Sequence, residues 1–120
     1  MKRSPLQRKT PLRAKSPWRP VHTPLRRESA KRRAERVQRA AVVAEVLERD
    51  GGCVLRFNRE AGACHGPVHV HETAQRSVVP GSHLRPDLCA ALCAAHHDWA
   101  HRNIDQARVL GLIVDSWDVA

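Results

Sequence analysis

Seven of the eight histidines, at positions 65, 69, 71, 83, 96, 97 and 101, and all four cysteines, at 53, 64, 89 and 93, fall inside residues 53–101. Imidazole and thiolate are the side chains that hold borderline-soft divalent ions near neutral pH, so this concentration points to metal chemistry. Spacing separates two sets. Cys93 and His96 stand two residues apart, the gap of a zinc knuckle, which lets two ligands of one turn face a single tetrahedral ion. Cys53 and Cys64 complete that set if a loop through Asn58 and Gly62 folds the chain back, and the four together predict a structural zinc. Cys89, set among Leu88, Ala90, Ala91 and Leu92, reads instead as a small buried hydrophobe.

The second set is His71, His97 and His101. On a helix beginning near Ala94, positions 97 and 101 project side by side on one face, the arrangement two imidazoles need to share a cation. A third ligand comes from Pro67-Val68-His69-Val70-His71, whose period of two predicts a short strand with His69 and His71 on one face and Val68 and Val70 buried on the other. The stretch from Ser77 to Pro86, with Pro80-Gly81 and Arg85-Pro86, must loop back into a second apolar run from Leu88 to Leu92. The expected order is strand, loop, strand, metal-bearing helix, an α+β arrangement.

Other elements must carry this cluster. Ser29 to Arg49 contains no Gly or Pro and reads as a helix of about five turns, stopped by Asp50-Gly51-Gly52. Val37, Ala41, Ala44 and Leu47 form one stripe expected to seat it, with Val42 and Val46 beside that stripe. After the metal helix, Asn103-Ile104-Asp105-Gln106 has capping-box spacing and opens a short helix ended by Gly111. Leu110, Leu112, Ile113, Val114 and Trp117 then supply packing, and Trp99 anchors the metal helix in the core. Only four aromatic side chains occur in the whole chain, so metal staples are a reasonable source of stability. The division expected is a tail over 1–27, a basic amphipathic helix over 28–50 and a metal-bearing domain over 51–120.

Charge points to a partner. Lysine and arginine number 21 against 12 acids, and residues 1–40 hold 14 of the bases with only two acids. Residues 1–27 repeat Ser4-Pro5-Leu6, Thr10-Pro11-Leu12 and Ser16-Pro17-Trp18, with a shifted Thr23-Pro24-Leu25. Proline at that density blocks helix and sheet, so an extended, mobile tail is expected. Arg8, Lys9, Arg13 and Lys15 on the tail, with Arg32, Arg33 and Arg36 on the helix, are spaced to track phosphates, and Lys31 and Arg39 extend the same field. A solubilising leader and a solvated helix face are the plainer readings of the same residues. No run approaches a membrane span and Met1-Lys2-Arg3 opens no apolar signal core, which predicts an intracellular protein with reduced thiols and no membrane partner.

These stretches resemble the HNH nucleases, in particular the small HNH proteins of bacteriophages. The matching segments are Arg49-Asp50-Gly51-Gly52-Cys53, Gly66-Pro67-Val68-His69-Val70-His71-Glu72, Arg76-Ser77, Leu92-Cys93-Ala94-Ala95-His96-His97-Asp98-Trp99 and Gly111-Leu112-Ile113-Val114-Asp115-Ser116-Trp117, and the basic Ser/Thr-Pro-Leu leader is similar too. The resemblance covers residues 49–117. It implies a ββα-metal (His-Me finger) fold, a phage-encoded protein in the cytoplasm of a bacterial host cell, and metal-dependent hydrolysis of phosphodiester bonds that nicks or cuts double-stranded DNA. Carried over by position, His71 is the first metal ligand, His97 and His101 are the helix ligands, and Glu72 stands where the family's general base is usually histidine. Leu88 stands where the family commonly has asparagine. Within the catalytic set His69, His71 and Glu72, the roles stay open: Glu72 is the base, its pKa raised by burial at the strand end, or it joins the ion and a histidine takes the proton. His83 on the loop is a more distant substitute. The ion implied is Zn²⁺, Ni²⁺ or Mn²⁺, or Mg²⁺ if Glu72 is a ligand, and Arg76 implies a phosphate clamp. Two other readings are a zinc-bound DNA-binding module with impaired catalysis and an adaptor contacting phage packaging proteins through its tail.

Overall fold

The structure is a computed structural model and describes residues 27–120, so the tail residues Arg8, Lys9, Arg13 and Lys15 lie outside the described part. Its elements are α1 (Ala30–Asp50), β1 (Val68–Glu72), β2 (Cys89–Cys93), α2 (Ala94–Arg102) and α3 (Ile104–Val109), with single 3-10 turns at Ser82–Leu84, Pro86–Leu88 and Ser116–Asp118. This is an α+β arrangement around a two-stranded antiparallel sheet.

Helix α1 begins where Ser29 accepts a hydrogen bond from the Arg32 amide at 3.2 Å, and it ends where Gly51 turns left-handed at φ 63° and donates to the Leu47 carbonyl. The face that docks is not the expected stripe. Val42 and Val46 are buried against Cys89 and Ala91, whereas Val37 is 66% exposed and Ala41, Ala44 and Leu47 are exposed as well. Polar groups decide between the two faces. Arg49 donates to the carbonyls of Pro86 at 2.8 Å and Cys89 at 2.7 Å, Arg39 donates to the His83 carbonyl, and the Asp50 carboxylate accepts from the Ala91 amide at 2.8 Å. All three lie on the side of Val42 and Val46, and each bonds a backbone group of the segment that α1 packs against. Asp50, together with the Val54 amide on the Ala91 carbonyl, also closes the outer edge of β2.

In the sheet, Val68 pairs with Cys93, Val70 with Ala91, His71 with Ala90 and Glu72 with Cys89. Alternation then sorts the side chains. Cys89, Ala91 and Val70 face α1, while Leu92 joins Cys53, Leu55, Ala100, Ala107 and Leu112 in a second cluster under α2 and α3. Cys89 is buried as a small apolar residue, and Trp99 packs on the second cluster, both as the sequence suggests. The apolar face expected of β1 is incomplete, because Val68 at the open end of the strand is exposed.

The loop after β1 is not featureless: it holds the 3-10 turns at Ser82–Leu84 and Pro86–Leu88, and Leu88 itself is buried. Asn103 does not cap α3 with its side chain; its amide donates to the Trp99 carbonyl at 2.9 Å and so closes α2 instead. Leu112 is buried as expected, but Trp117 is 80% exposed and Leu110 is 43% exposed, because the turns at Gly111 and Ser116–Asp118 carry them outward.

Candidate metal centres

The Cys53, Cys64 and Cys93 sulfurs lie 3.1, 3.5 and 3.3 Å from His96 Nδ1, and the four ligand atoms all fall within 4.8 Å of one another. A tetrahedral zinc with bonds of about 2.3 Å to sulfur and 2.0 Å to nitrogen would separate sulfur from nitrogen by about 3.5 Å, so the cluster fits such an ion after a small expansion. His96 is fully buried, and its Nε2 donates to the Gly62 carbonyl at 3.0 Å, which leaves Nδ1 with its lone pair toward the sulfurs. The loop that returns Cys64 to Cys53 is built as its composition suggests: Asn58 Oδ1 accepts from the Glu60 and Ala61 amides at 3.0 and 3.1 Å, and Gly62 takes φ 83°. Burial disfavours ionisation of Cys93, but the amides of His96 and His65 and the neighbouring thiols outweigh it and bring Cys93 down to about 7. Desolvation and then the adjacent Cys53 and Cys93 push Cys64 up to about 11. One thiolate is thus readily available to begin metal capture.

Strand β2 runs into α2 without a linker, and Cys93 is both the last strand residue and the helix cap, its sulfur accepting from the His96 amide at 3.5 Å. Two further amides of the first turn are satisfied from the segment before β1: Ala94 donates to the Pro67 carbonyl at 3.0 Å and Ala95 to that of His65 at 3.1 Å. Gly66 permits this approach. It sits at φ 82°, and a Cβ there would lie 2.8 Å from the Ala94 Cβ.

The other side of α2 carries the second cluster. The His71, His97 and His101 rings have centroids 4.5 to 5.6 Å apart, and their candidate ligand nitrogens lie within 4.8 Å of one another. His97 Nε2 and His101 Nε2 are 3.3 Å apart, matching the roughly 3.3 Å edge that a tetrahedral ion with 2.0 to 2.1 Å bonds requires. His71 is only 6% exposed, and its Nε2 donates to the Leu112 carbonyl at 2.9 Å, which directs Nδ1 to the other two rings. Burial, with the nearby His97 and His101 adding to it, keeps the His71 imidazole below its ordinary 6.5 and therefore neutral, the form a ligand must have. The cluster opens onto a cleft of about 500 Å³ bordered also by Glu72, Gln75, Arg76 and Ser77. Chemically the two sets differ: four ligands close the first, whereas three imidazoles on one wall of a cleft leave room for a further ligand in the second.

The remaining sequence candidates divide. Glu72 lies at the cleft but on the α1 face of β1, where Arg76 Nε donates to it at 2.8 Å and Arg39 Nη2 stands 3.6 Å away. The expectation that burial raises its pKa is corrected: the Arg76 guanidinium outweighs burial and, with Arg39, holds the carboxyl below its ordinary 4.5. Arg76 is correspondingly occupied by Glu72 in the free protein. His69 is exposed on β1 and is not part of the three-imidazole cluster. His83 is buried with Nε2 on Glu35 at 2.6 Å and belongs to the seat of α1. Arg32, Arg33 and Arg36 are exposed on α1, whereas Arg39 turns inward to His83 and Glu72. Sequence reasoning missed Asp50 and the Leu112 carbonyl as positioning groups. Asp50 just before two glycines was a usable signal; a carbonyl carries none.

Compared with protein-family models, with curated proteins and with solved structures, the chain matches none. No helix among the described residues is long and apolar enough to cross a membrane.

Proposed function

We propose that the protein is a metal-dependent DNA endonuclease of the ββα-metal (HNH) type, with His71, His97 and His101 holding the catalytic divalent ion and Cys53, Cys64, Cys93 and His96 holding a structural zinc. The observation that carries this reading is the convergence of one strand imidazole and two helix imidazoles on the wall of an open cleft. The element order β1, loop, β2, α2 supports it as well.

When bound there, a divalent ion supplies Lewis-acid stabilisation of the charge that builds on a phosphodiester in the transition state. The chain's own groups do the rest. The Leu112 carbonyl fixes the His71 tautomer, and the four-residue spacing on α2 fixes the angle between His97 and His101. Glu72 sits on the cleft rim as an ionised carboxylate able to accept a proton from water, and Arg76 beside it offers a guanidinium fork to the phosphate. A low pKa makes Glu72 a weak base, so a modest rate is expected.

Supercoiled plasmid incubated with the purified protein and Mn²⁺, Zn²⁺, Ni²⁺ or Mg²⁺ tests the reading. Nicked or linear product is expected with at least one metal and should vanish in His97→Ala; intact plasmid with all four overturns it. A second reading, a zinc-bound DNA-binding module with impaired catalysis, is favoured by the engagement of Glu72 with Arg76 and by an apolar Leu88 where the resemblance expects asparagine. It predicts duplex binding without cleavage.

A further inference from the structure

A second cleft, of about 210 Å³, lies between the first half of α1 and the start of the loop after β1. Four guanidiniums line it, those of Arg32, Arg36, Arg39 and Arg76, against the carboxylates of Glu28 and Glu35. Both carboxylates already have partners: Glu28 accepts from Arg36 at 3.2 Å, and Glu35 accepts from His83, which closes the cleft, at 2.6 Å. Arg76 borders this cleft and the three-imidazole cleft alike, so the two adjoin at its side chain, imidazoles on one side and guanidiniums on the other. At the junction, Glu72 lies between Arg76 and Arg39, accepting from the Nε of the first at 2.8 Å and standing 3.6 Å from the second.

A guanidinium fork accepts a carboxylate or a phosphate in the same planar geometry, so the two compete for it. We propose that Arg39 and Arg76 form a phosphate subsite for the backbone of a nucleic acid strand crossing the two adjoining clefts, that Glu72 occupies this subsite in the free protein, and that Arg32 and Arg36 hold the next phosphates along α1. The proposal rests on the nuclease reading for the position of the scissile bond, but not for the binding itself. Phosphate arriving at the junction takes the fork of Arg76 and releases Glu72, so the carboxylate beside the imidazoles is freed only when a strand is seated. A backbone is the occupant that fits: the cleft adjoins the imidazole cleft at Arg76, three of its four guanidiniums sit on the one helix α1, and no Phe, Tyr or Trp lines it for free bases to stack on.

The test reads binding without cleavage. The full-length chain carrying His97→Ala and loaded with zinc is titrated against a fluorescein-labelled 20-base-pair duplex over a series of salt concentrations, with thermal melting as a control for folding. Arg32→Gln and Arg36→Gln should each reduce the slope of log affinity against log salt by about 1. Glu72→Gln removes the competing carboxylate and should tighten binding about two- to fivefold, the range expected for releasing one exposed ion pair. A purely structural role for Glu72 predicts the opposite sign, since losing its arginine contacts loosens the site. Unchanged or weaker binding by a Glu72→Gln protein that melts like its parent overturns the proposal. So do unchanged salt slopes in both arginine variants, as does displacement of the duplex by millimolar inorganic phosphate to the same extent in all variants, which indicates a lone-anion site. None of these readings depends on whether plasmid is cut, so failure of the nuclease reading and failure of this one are separately visible.

Discussion

Asp50 ties the end of α1 to β2 and to the segment that follows the helix. It accepts from the Ala91 amide on β2, pairs with Arg49 at 2.7 Å, and through its backbone carbonyl accepts from Arg56 at 3.1 Å. Burial favours its neutral form, but Arg49 and the Ala91 amide outweigh that and hold the carboxyl below its ordinary 3.8. The sign for stability follows. A carboxyl that ionises more readily folded than unfolded contributes fully above its unfolded value, so the contribution is intact above about pH 4 and is lost as the pH falls below that through the folded value. Asp50→Asn should cost about 1–3 kcal/mol at neutral pH, because a charged acceptor for the amide of the buried Ala91 is weakened. In chemical denaturation the variant should also lose less stability than the parent between pH 5 and pH 3. At this scale much of the site was legible in the sequence: both ligand sets were separable because cysteine and histidine carry their chemistry in their identity. The His71 partner was not, because a main-chain carbonyl such as that of Leu112 has no signature in a side-chain alphabet.

The junction of β2 with α2 is where the fold sets the angles between ligands. Its tolerance is small at Gly66, where φ is 82° and Ala94 is the neighbour. Gly66→Ala should destabilise the protein by about 2–3 kcal/mol, combining a left-handed conformation unfavourable for alanine with a clash. A shift in the denaturation midpoint checks this, and adding Ala94→Gly should recover the part due to the clash. Element types and order were readable from periodicity and from glycine and proline positions. The face of α1 was not, since two neighbouring stripes of alanine and valine are equally apolar. What separates them is the reach of Arg39, Arg49 and Asp50 to backbone groups that come together only in three dimensions. Trp117 shows the same limit from the other side, because apolar character alone does not place a residue near the C-terminal turns under the core.

At the scale of the molecule, the core formed by the described residues is divided by the sheet into two small clusters, and neither contains a large aromatic fully buried. Metal ligation is therefore expected to carry much of the stability, since a structural zinc contributes on the order of 10 kcal/mol to a domain organised around it. Metal analysis of the purified protein should find two ions per chain. Cys93→Ser and His101→Ala should each lose one of them, and chelation should lower the melting temperature far more through the cysteine centre than through the histidine cleft. Loss of a single ion, shared equally by both variants, would merge the two centres into one.

Ligands of the two centres stand next to each other in the chain as His96 and His97, on a single turn of α2. Consecutive residues on a helix diverge by about 100° around its axis, so one turn of backbone acts as a fixed protractor between a closed four-residue cluster and an open three-imidazole cleft. Sliding the chain by one position there would misdirect both at once. The chain is thus free to exchange the species held at either place, but not to tune the bearing of one without disturbing the other.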